Sequence, residues 1–558
     1  MTIARAQRAS YIAAVKIALL MVYLAGGYGG VIARFDSIES AQGQLVFIFV
    51  WLLAVISVFL VAFTPRWPLR LLWVFALVLP GFFVDVYQQV TDTYMQLSDW
   101  ELMLNSASGY TLSAIVFYSD VLAYRTPLAI AGVVGFLLPN RLFFTKLNRP
   151  IVLFTSLLLP CVTALIVAAI VYHRGGFGAN GFPRSYIALP FTMVISYDNW
   201  SRPKYQPRAA VSINASSDYT VKDIVFIMDE SIRPDFLHVN NPLGVPVLSN
   251  FSPDSYFNFG IIASATNCSA GSNAIVRYGA RKSHFRRDIQ ERPSFWHYAK
   301  AAGFKTVYID AQQSNGKLQN MMTDEEKQQV DVFLQIDNTN HYQRDIEAAS
   351  AIRDWVSKPE PHFIFVNKLG AHFPFEGKYP RSHDTYTPSM SAHQSVDEEI
   401  DYRAIEGFGG KKFINSYKNA VSWSVGEFWA QLSMADYSDK LFIYTSDHGQ
   451  NFEQSDTRVA THCNSETPAA EEGRVPLIFF TTNPRLSKEL NNAVRKNHNK
   501  GSHFNLFATM LIAMGFDASD VLQQGYEPSF FDALDEEQAF TSNFFVRFGR
   551  APLWHGVQ

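Results

Sequence analysis

The chain has 558 residues, with 47 Lys and Arg against 50 Asp and Glu, for a formal net charge of -3. That length exceeds one ordinary domain, and a near-neutral charge without a basic stripe excludes a nucleic-acid-binding surface. Three cysteines supply neither a disulfide framework nor a zinc ribbon.

The mean hydropathy of +0.00 averages two unlike parts. Up to His173 the sequence is built of apolar blocks; beyond it, charged and apolar residues mix. Five blocks, roughly 10–33, 45–64, 69–90, 121–140 and 150–172, approach the ~20 residues a helix needs to cross a bilayer. Lys16 stands near enough to the end of the first to snorkel, and the blocks that follow so closely argue against a cleaved signal peptide. Basic residues alternate between loops. Arg5 and Arg8 precede the first span, Arg66 and Arg70 separate the second and third, and Arg141, Lys146 and Arg149 separate the fourth and fifth. The loops between are acidic, with Asp36, Glu39, Asp92, Asp99 and Glu101. This predicts a cytoplasmic amino terminus and an outer location for everything after His173. Tyr94, Trp100 and Tyr110 suit the 91–120 loop to the outer leaflet surface.

Residues 174–220 read as a membrane-proximal linker whose Gly, Asn and Pro content forbids a long regular helix at its start. From 221 to 558 short apolar runs at 224–228, 305–309, 362–367, 440–445 and 475–480 predict strands. Between and around them, 293–302, 343–357, 411–433 and 502–514 predict helices. Strands separated by helices imply a mostly parallel α/β sheet covered on both faces.

Two of these strands end in chemistry. Ile224–Met228 runs into Asp229, Glu230 and Ser231, and Lys440–Phe442–Ile443 runs into Ser446, Asp447, His448 and Gly449. Carboxylates at buried strand ends are costly unless paired or bound to metal. Glu230, Asp447 and His448 therefore form a candidate metal shell with a position left open. The stretch Ser264–Arg277 passes from small polar residues into a helix-capable run, which sets Ser269 or Ser272 near a helix N-terminus. A metal-coordinated hydroxyl there becomes a nucleophile at neutral pH. His372, just beyond the 362–367 strand, and His462 are placed to hold a phosphate or a second metal. Cys268 precedes Ser269 and Cys463 follows His462, so both thiols fall near the site and are candidates to pair.

These residues resemble the membrane-anchored phosphoethanolamine transferases of the alkaline phosphatase/sulfatase superfamily, in which five spans precede a periplasmic sulfatase-like domain. The resemblance covers nearly the whole chain. It implies a zinc site made of Glu230, Asp447 and His448 with the nucleophilic hydroxyl, and substrate contacts from His372 and His462. Lys317 is similar to a lysine that touches the transferred group. The family's threonine in Cys-Gly-Thr-x-Thr-Ala is absent; a cellulose-modifying branch uses serine in a stretch similar to Ser264–Ser269, which places the nucleophile on Ser269 with Ser272 as the alternative. Asp229 replaces the usual glycine, resembles the paired acids of sulfatases, and is a candidate for substrate contact or for biasing the site toward a harder cation.

The expected activity is transfer of phosphoethanolamine from a membrane phospholipid, phosphatidylethanolamine, through a phospho-serine enzyme to an envelope glycan or glycolipid such as lipopolysaccharide or cellulose. Phosphoglycerol transfer is the nearest alternative. A sulfatase is disfavoured because Cys268–Ser272 lacks the arginine that formylglycine formation requires, and a non-catalytic scaffold because all the candidate ligands are present. A bacterial inner membrane location follows, with the catalytic domain in the periplasm.

Overall fold

The computed structural model describes residues 2–26, 31–38, 40–91, 94–101, 103–104, 118–139, 150–151, 154–201, 205–216, 221–338, 340–390, 410–433, 437–452, 461–463, 468–542, 544 and 551–557. Among the described residues, four helices are long and apolar enough to cross a membrane: Ala41–Ala62, Trp67–Val90, Ser119–Leu137 and Phe154–His173. The first helix, Thr2–Ala25, contributes a shorter apolar stretch, Ser10–Ala25. It ends at Ala25, short of the expected 33, beside Gly26 with its weak helix propensity; residues 27–30 lie outside the described residues, and Val31–Asp36 is a separate short helix.

Lys16 does not snorkel. It is fully buried and donates to the Phe136 and Leu138 carbonyls at 3.2 and 2.7 Å. Arg70 reaches the same Leu138 carbonyl at 2.5 Å. Both cations thus cap the C-terminal end of Ser119–Leu137, where orphan carbonyls and the helix dipole favour positive charge. Further along the bundle, the buried Asp85 pairs with Arg184 at 2.7 Å and tethers the linker to the Leu79–Thr91 helix. Trp100 is buried, donating to Thr192 Oγ1 at 3.0 Å, rather than lying in a lipid surface. Tyr110, Arg141, Lys146 and Arg149 lie outside the described residues. The linker opens on glycines in left-handed conformations, including Gly175 and Gly176, and then forms the Ala188–Ser201 helix.

The outer domain is built on a seven-stranded sheet of order β2-β7-β6-β1-β5-β3-β4. Its strands are β1 (Asp223–Asp229), β2 (Tyr256–Ala263), β3 (Lys305–Asp310), β4 (Val332–Gln335), β5 (His362–Asn367), β6 (Lys440–Ser446) and β7 (Arg474–Phe480). β7 runs antiparallel to both neighbours, and the other pairs are parallel. A further two-stranded ribbon joins β8 (Ala539–Thr541) to β9 (Trp554–Gly556). Every residue of β1 is buried. Its alternate side chains enter separate cores, Ile224, Phe226 and Met228 on one face and Val225 and Ile227 on the other. Near-continuous apolar runs in β1, β5 and β6 are the consequence of that double burial.

Candidate active site

β1 and β6 are neighbours in register, with Asp229 opposite Ser446, so the residues just past both strands meet. Glu230, Asp447 and His448 are buried, with potential ligand atoms all within 4.8 Å of one another. Asp447 Oδ1 accepts the Ser231 and His448 N–H groups at 3.0 and 2.7 Å. Its other oxygen, Oδ2, is buried without a hydrogen-bond partner. His448 Nδ1 lies 2.7 Å from the Gly449 carbonyl, which can only accept, so Nε2 is turned toward the carboxylates as the ligating nitrogen. A side chain at Gly449 would fall 2.1 Å from the Glu471 carbonyl, so the turn carrying His448 requires glycine.

Electrostatics show how crowded this cluster is. Burial and the neighbouring Glu230 charge push the Asp447 carboxyl up to about 8. Burial works in the same direction on Glu230, but the hydrogen bond and charge of His448 outweigh it and hold that carboxyl well below its usual range. Two carboxylates, an imidazole nitrogen and an orphaned buried oxygen are a donor set that a divalent cation satisfies.

Ser269 follows β2, two strands away from β6. After Ala263 the chain turns through Ser264–Asn267 into the Ser269–Tyr278 helix. Cys268 is the cap residue and Ser269 the first helical one, at the expected helix N-terminus. Ser269 Oγ lies 3.1 and 3.4 Å from the Glu230 carboxylate oxygens and 3.2 Å from His448 Nε2. Ser272 is fully buried one turn on, and its hydroxyl accepts from Thr266 N–H at 3.1 Å and donates to the Thr266 carbonyl at 3.0 Å. It braces the turn and does not face the cluster.

His462 stacks on His448 with ring centroids 4.2 Å apart, and His372 meets His462 edge-on at 5.2 Å. Burial lowers both His372 and His462, the latter well below its ordinary value, so both rings are neutral near pH 7. A disulfide joins Cys268 to Cys463 across a Cα separation of 5.0 Å, linking the nucleophile's cap to the histidine loop.

The other two expected substrate contacts are Lys317 and Asp229. Lys317 is exposed in the loop after β3, and its ammonium makes no ion pair or hydrogen bond among the described residues. The same loop instead presents Gln312, whose amide donates to Glu230 Oε2 at 3.1 Å. Asp229 lies beneath the cluster with its carboxylate already occupied by Lys368 Nζ at 2.5 Å, Tyr444 OH at 2.8 Å and the Glu230 N–H at 2.9 Å. Those three donors engage both of its oxygens. Gln312 and Lys368 have no motif of their own; each touches the site from a different strand end.

Residues 222–516 match the family profile described as Sulfatase, and the chain belongs to that family. Over 92% of its length it shares the fold of the integral membrane protein lipooligosaccharide phosphoethanolamine transferase A from Neisseria meningitidis, covering 96% of that chain with a TM-score of 0.63 at 15% identity. The expected order of membrane helices followed by a sulfatase-like α/β domain is therefore borne out. Two curated proteins of Salmonella typhimurium are similar in sequence. Phosphoethanolamine transferase CptA is 23% identical over 246 residues, 43% of this chain and 40% of that protein. Kdo(2)-lipid A phosphoethanolamine 7''-transferase is 22% identical over 214 residues, 38% of this chain and 36% of that protein. The chain thus spans less than half the length of the curated relatives it matches.

Proposed function

We propose that the chain is a metal-dependent phosphoethanolamine transferase of the bacterial inner membrane, with its amino terminus in the cytoplasm and its sulfatase-like domain in the periplasm. The observation that carries the reading is the position of Ser269 Oγ, in hydrogen-bonding reach of both Glu230 and His448, beside an orphaned Asp447 oxygen. Glu230, Asp447 and His448 would hold one tightly bound divalent cation, zinc by the chemistry of the donors, with Ser269 Oγ completing the set. Bound there, it would supply the positive charge that favours the Ser269 alkoxide and offsets charge on the transferring phosphoryl group.

Ser269 Oγ attacks the phosphorus of phosphatidylethanolamine. The Ser269 O–P bond forms, the P–O bond to diacylglycerol breaks, and a proton passes to the departing glyceryl oxygen. An acceptor hydroxyl or phosphate on an envelope glycan or glycolipid then attacks the phospho-serine and regenerates Ser269. The first-turn N–H groups of the Ser269–Tyr278 helix have no intrahelical carbonyl and suit phosphoryl oxygens. His372 Nδ1 is spent on the Phe373 carbonyl at 2.5 Å, which leaves Nε2 as a base for the incoming hydroxyl. His462, the second neutral ring, borders the same space, and the pair could also take a second metal.

Mass spectrometry of envelope lipids and glycans from cells with and without the protein tests the reading. Ethanolamine phosphate added only when the protein is present supports it and names the acceptor. Glycerol phosphate in its place assigns the related transfer, and no change in either rejects both.

A further inference from the structure

The proposed metal ligand Glu230 and the substrate-side His372 follow different strands, β1 and β5, and one buried ion pair joins the two elements beneath them. Lys368, the first residue past β5, is fully buried. Its ammonium lies 2.5 Å from Asp229 Oδ2, 2.5 Å from the Ser424 carbonyl and 3.7 Å from Asp345, and stands 4.3 Å over the Phe428 ring. Asp229 Oδ1 in turn accepts the N–H of Glu230 at 2.9 Å. The Lys368 carbonyl accepts from Gln312 Nε2 at 2.6 Å, the same amide nitrogen that holds Glu230 Oε2. Lys368 therefore acts on Glu230 twice, on its peptide through Asp229 and on its carboxylate through Gln312.

The same residue anchors the histidine loop. Lys368 N–H donates to the Met228 carbonyl at 3.0 Å, and Ala371 N–H to the Glu230 carbonyl at 3.0 Å. Between them Gly370, at φ 57°, passes so close that a Cβ would lie 2.4 Å from the Glu230 carbonyl and 2.6 Å from Asp229 Oδ1. His372 begins one residue past this seam.

We propose that Asp229 and Lys368 form a positioning clamp that fixes the Glu230 carboxylate and the His372 loop in one geometry, so that the cation site is assembled before the cation arrives. Neither residue touches substrate. A buried pair of this kind is weak evidence for stability alone, because hydrophobic replacement of both partners is often neutral, whereas removal of one leaves an uncompensated charge. That asymmetry separates positioning from packing.

The inference rests on the metal shell described above. Full-length protein in detergent would be stripped with a chelator and titrated with zinc against a chromophoric competitor, and its apo melting transition recorded. Lys368→Met strands Asp229 and lowers both the melting temperature and the zinc affinity. The double variant Asp229→Asn with Lys368→Met removes both charges; its melting transition returns toward the native one, while its zinc affinity stays about 10–100-fold weaker, the cost typical of lost outer support around a metal ligand. Lys368→Arg, which keeps the charge, binds zinc more tightly than Lys368→Met. A double variant that melts and binds zinc as the native protein does overturns the clamp. Native protein that binds no zinc overturns the metal shell instead, so the two failures are distinguishable.

Discussion

Ser269 Oγ and His448 Nε2 stand 3.2 Å apart although 179 residues separate them in the chain. Only the sheet brings them together, since one follows the edge strand β2 and the other the interior strand β6. Removing the hydroxyl should therefore abolish chemistry without disturbing the fold. Ser269→Ala is expected to give correctly folded protein with no phosphorylated intermediate and no head-group release. Ser272→Ala loses three hydrogen bonds to Thr266, worth about 1 kcal/mol each, and should melt earlier while keeping measurable turnover. Intact-mass measurement after exposure to donor lipid decides it, and an adduct on Ser272 would reverse the assignment.

Metal content should follow the ligands. Native protein is expected to carry a divalent ion, and protein with Asp447→Ala or His448→Ala to lose it, as read by elemental mass spectrometry. Acidification should release it too, because carboxylate and imidazole must be unprotonated to bind. Full retention in both variants would reject the shell.

The cross-link predicts a thiol count. Titration of unfolded protein prepared without reductant should find one free cysteine, Cys161, with Cys268 and Cys463 joined. Closing a loop across a sequence separation of 195 residues stabilises by about 5 kcal/mol in the chain-entropy view. Cys463→Ser should cost a large part of that and loosen His462, so transfer should fall more than zinc affinity does. Three reactive thiols would contradict the pairing.

A buried histidine sets one part of the acid response. His503 Nδ1 accepts the Ala265 N–H at 3.2 Å, and burial holds the ring down at about 3. In the unfolded chain it titrates near its ordinary 6.5. Between those values the unfolded state binds the extra proton, so stability rises with pH from about 3 to 6.5 and is lost on acidification, by about 1.4 kcal/mol per pH unit at most. His503→Gln should flatten that slope in denaturant midpoints measured from pH 4 to 7. An unchanged slope would show that His503 does not carry it.

Orientation is open to direct measurement. Reporters fused at Ser98 and at the carboxyl terminus should register outside, and one at Arg66 inside, as the basic loops require. A carboxyl terminus found inside would remove the periplasmic chemistry altogether.

The parts of this fold that could be read in advance share one physical cause. β1, β5 and β6 are buried on both faces, so their sequences are unbroken apolar runs, and acids or a histidine placed directly after such runs stand out. β2 was not foreseen because it is partly exposed, with Asn258 and Gly260 at a register shift where Gly260 takes φ 79°. β4 is four residues long and only half-buried. Lys368 and Gln312 carry no signature because their roles depend on neighbours far away in sequence, 139 residues for Lys368 and Asp229 and 82 for Gln312 and Glu230. Asp229 was legible as an acid at a strand end, but not as one whose counter-charge lies inside the core. Lys16 looked like a residue reaching for water because the helix end it caps belongs to another span.

In the proposed reading the cation ligands follow two adjacent interior strands, while the nucleophile Ser269 follows an edge strand that meets the sheet only through β7. Binding a cation and attacking a phosphorus are thus entrusted to separable pieces of chain, hinged by one reversed strand. A lineage could lengthen the 264–268 turn to admit a bulkier acceptor while leaving Glu230, Asp447 and His448 unchanged. Mutational scans of this protein should show changes in the 264–268 turn tolerated independently of changes beside β1 and β6, with coupling confined to Ser269, which touches both Glu230 and His448.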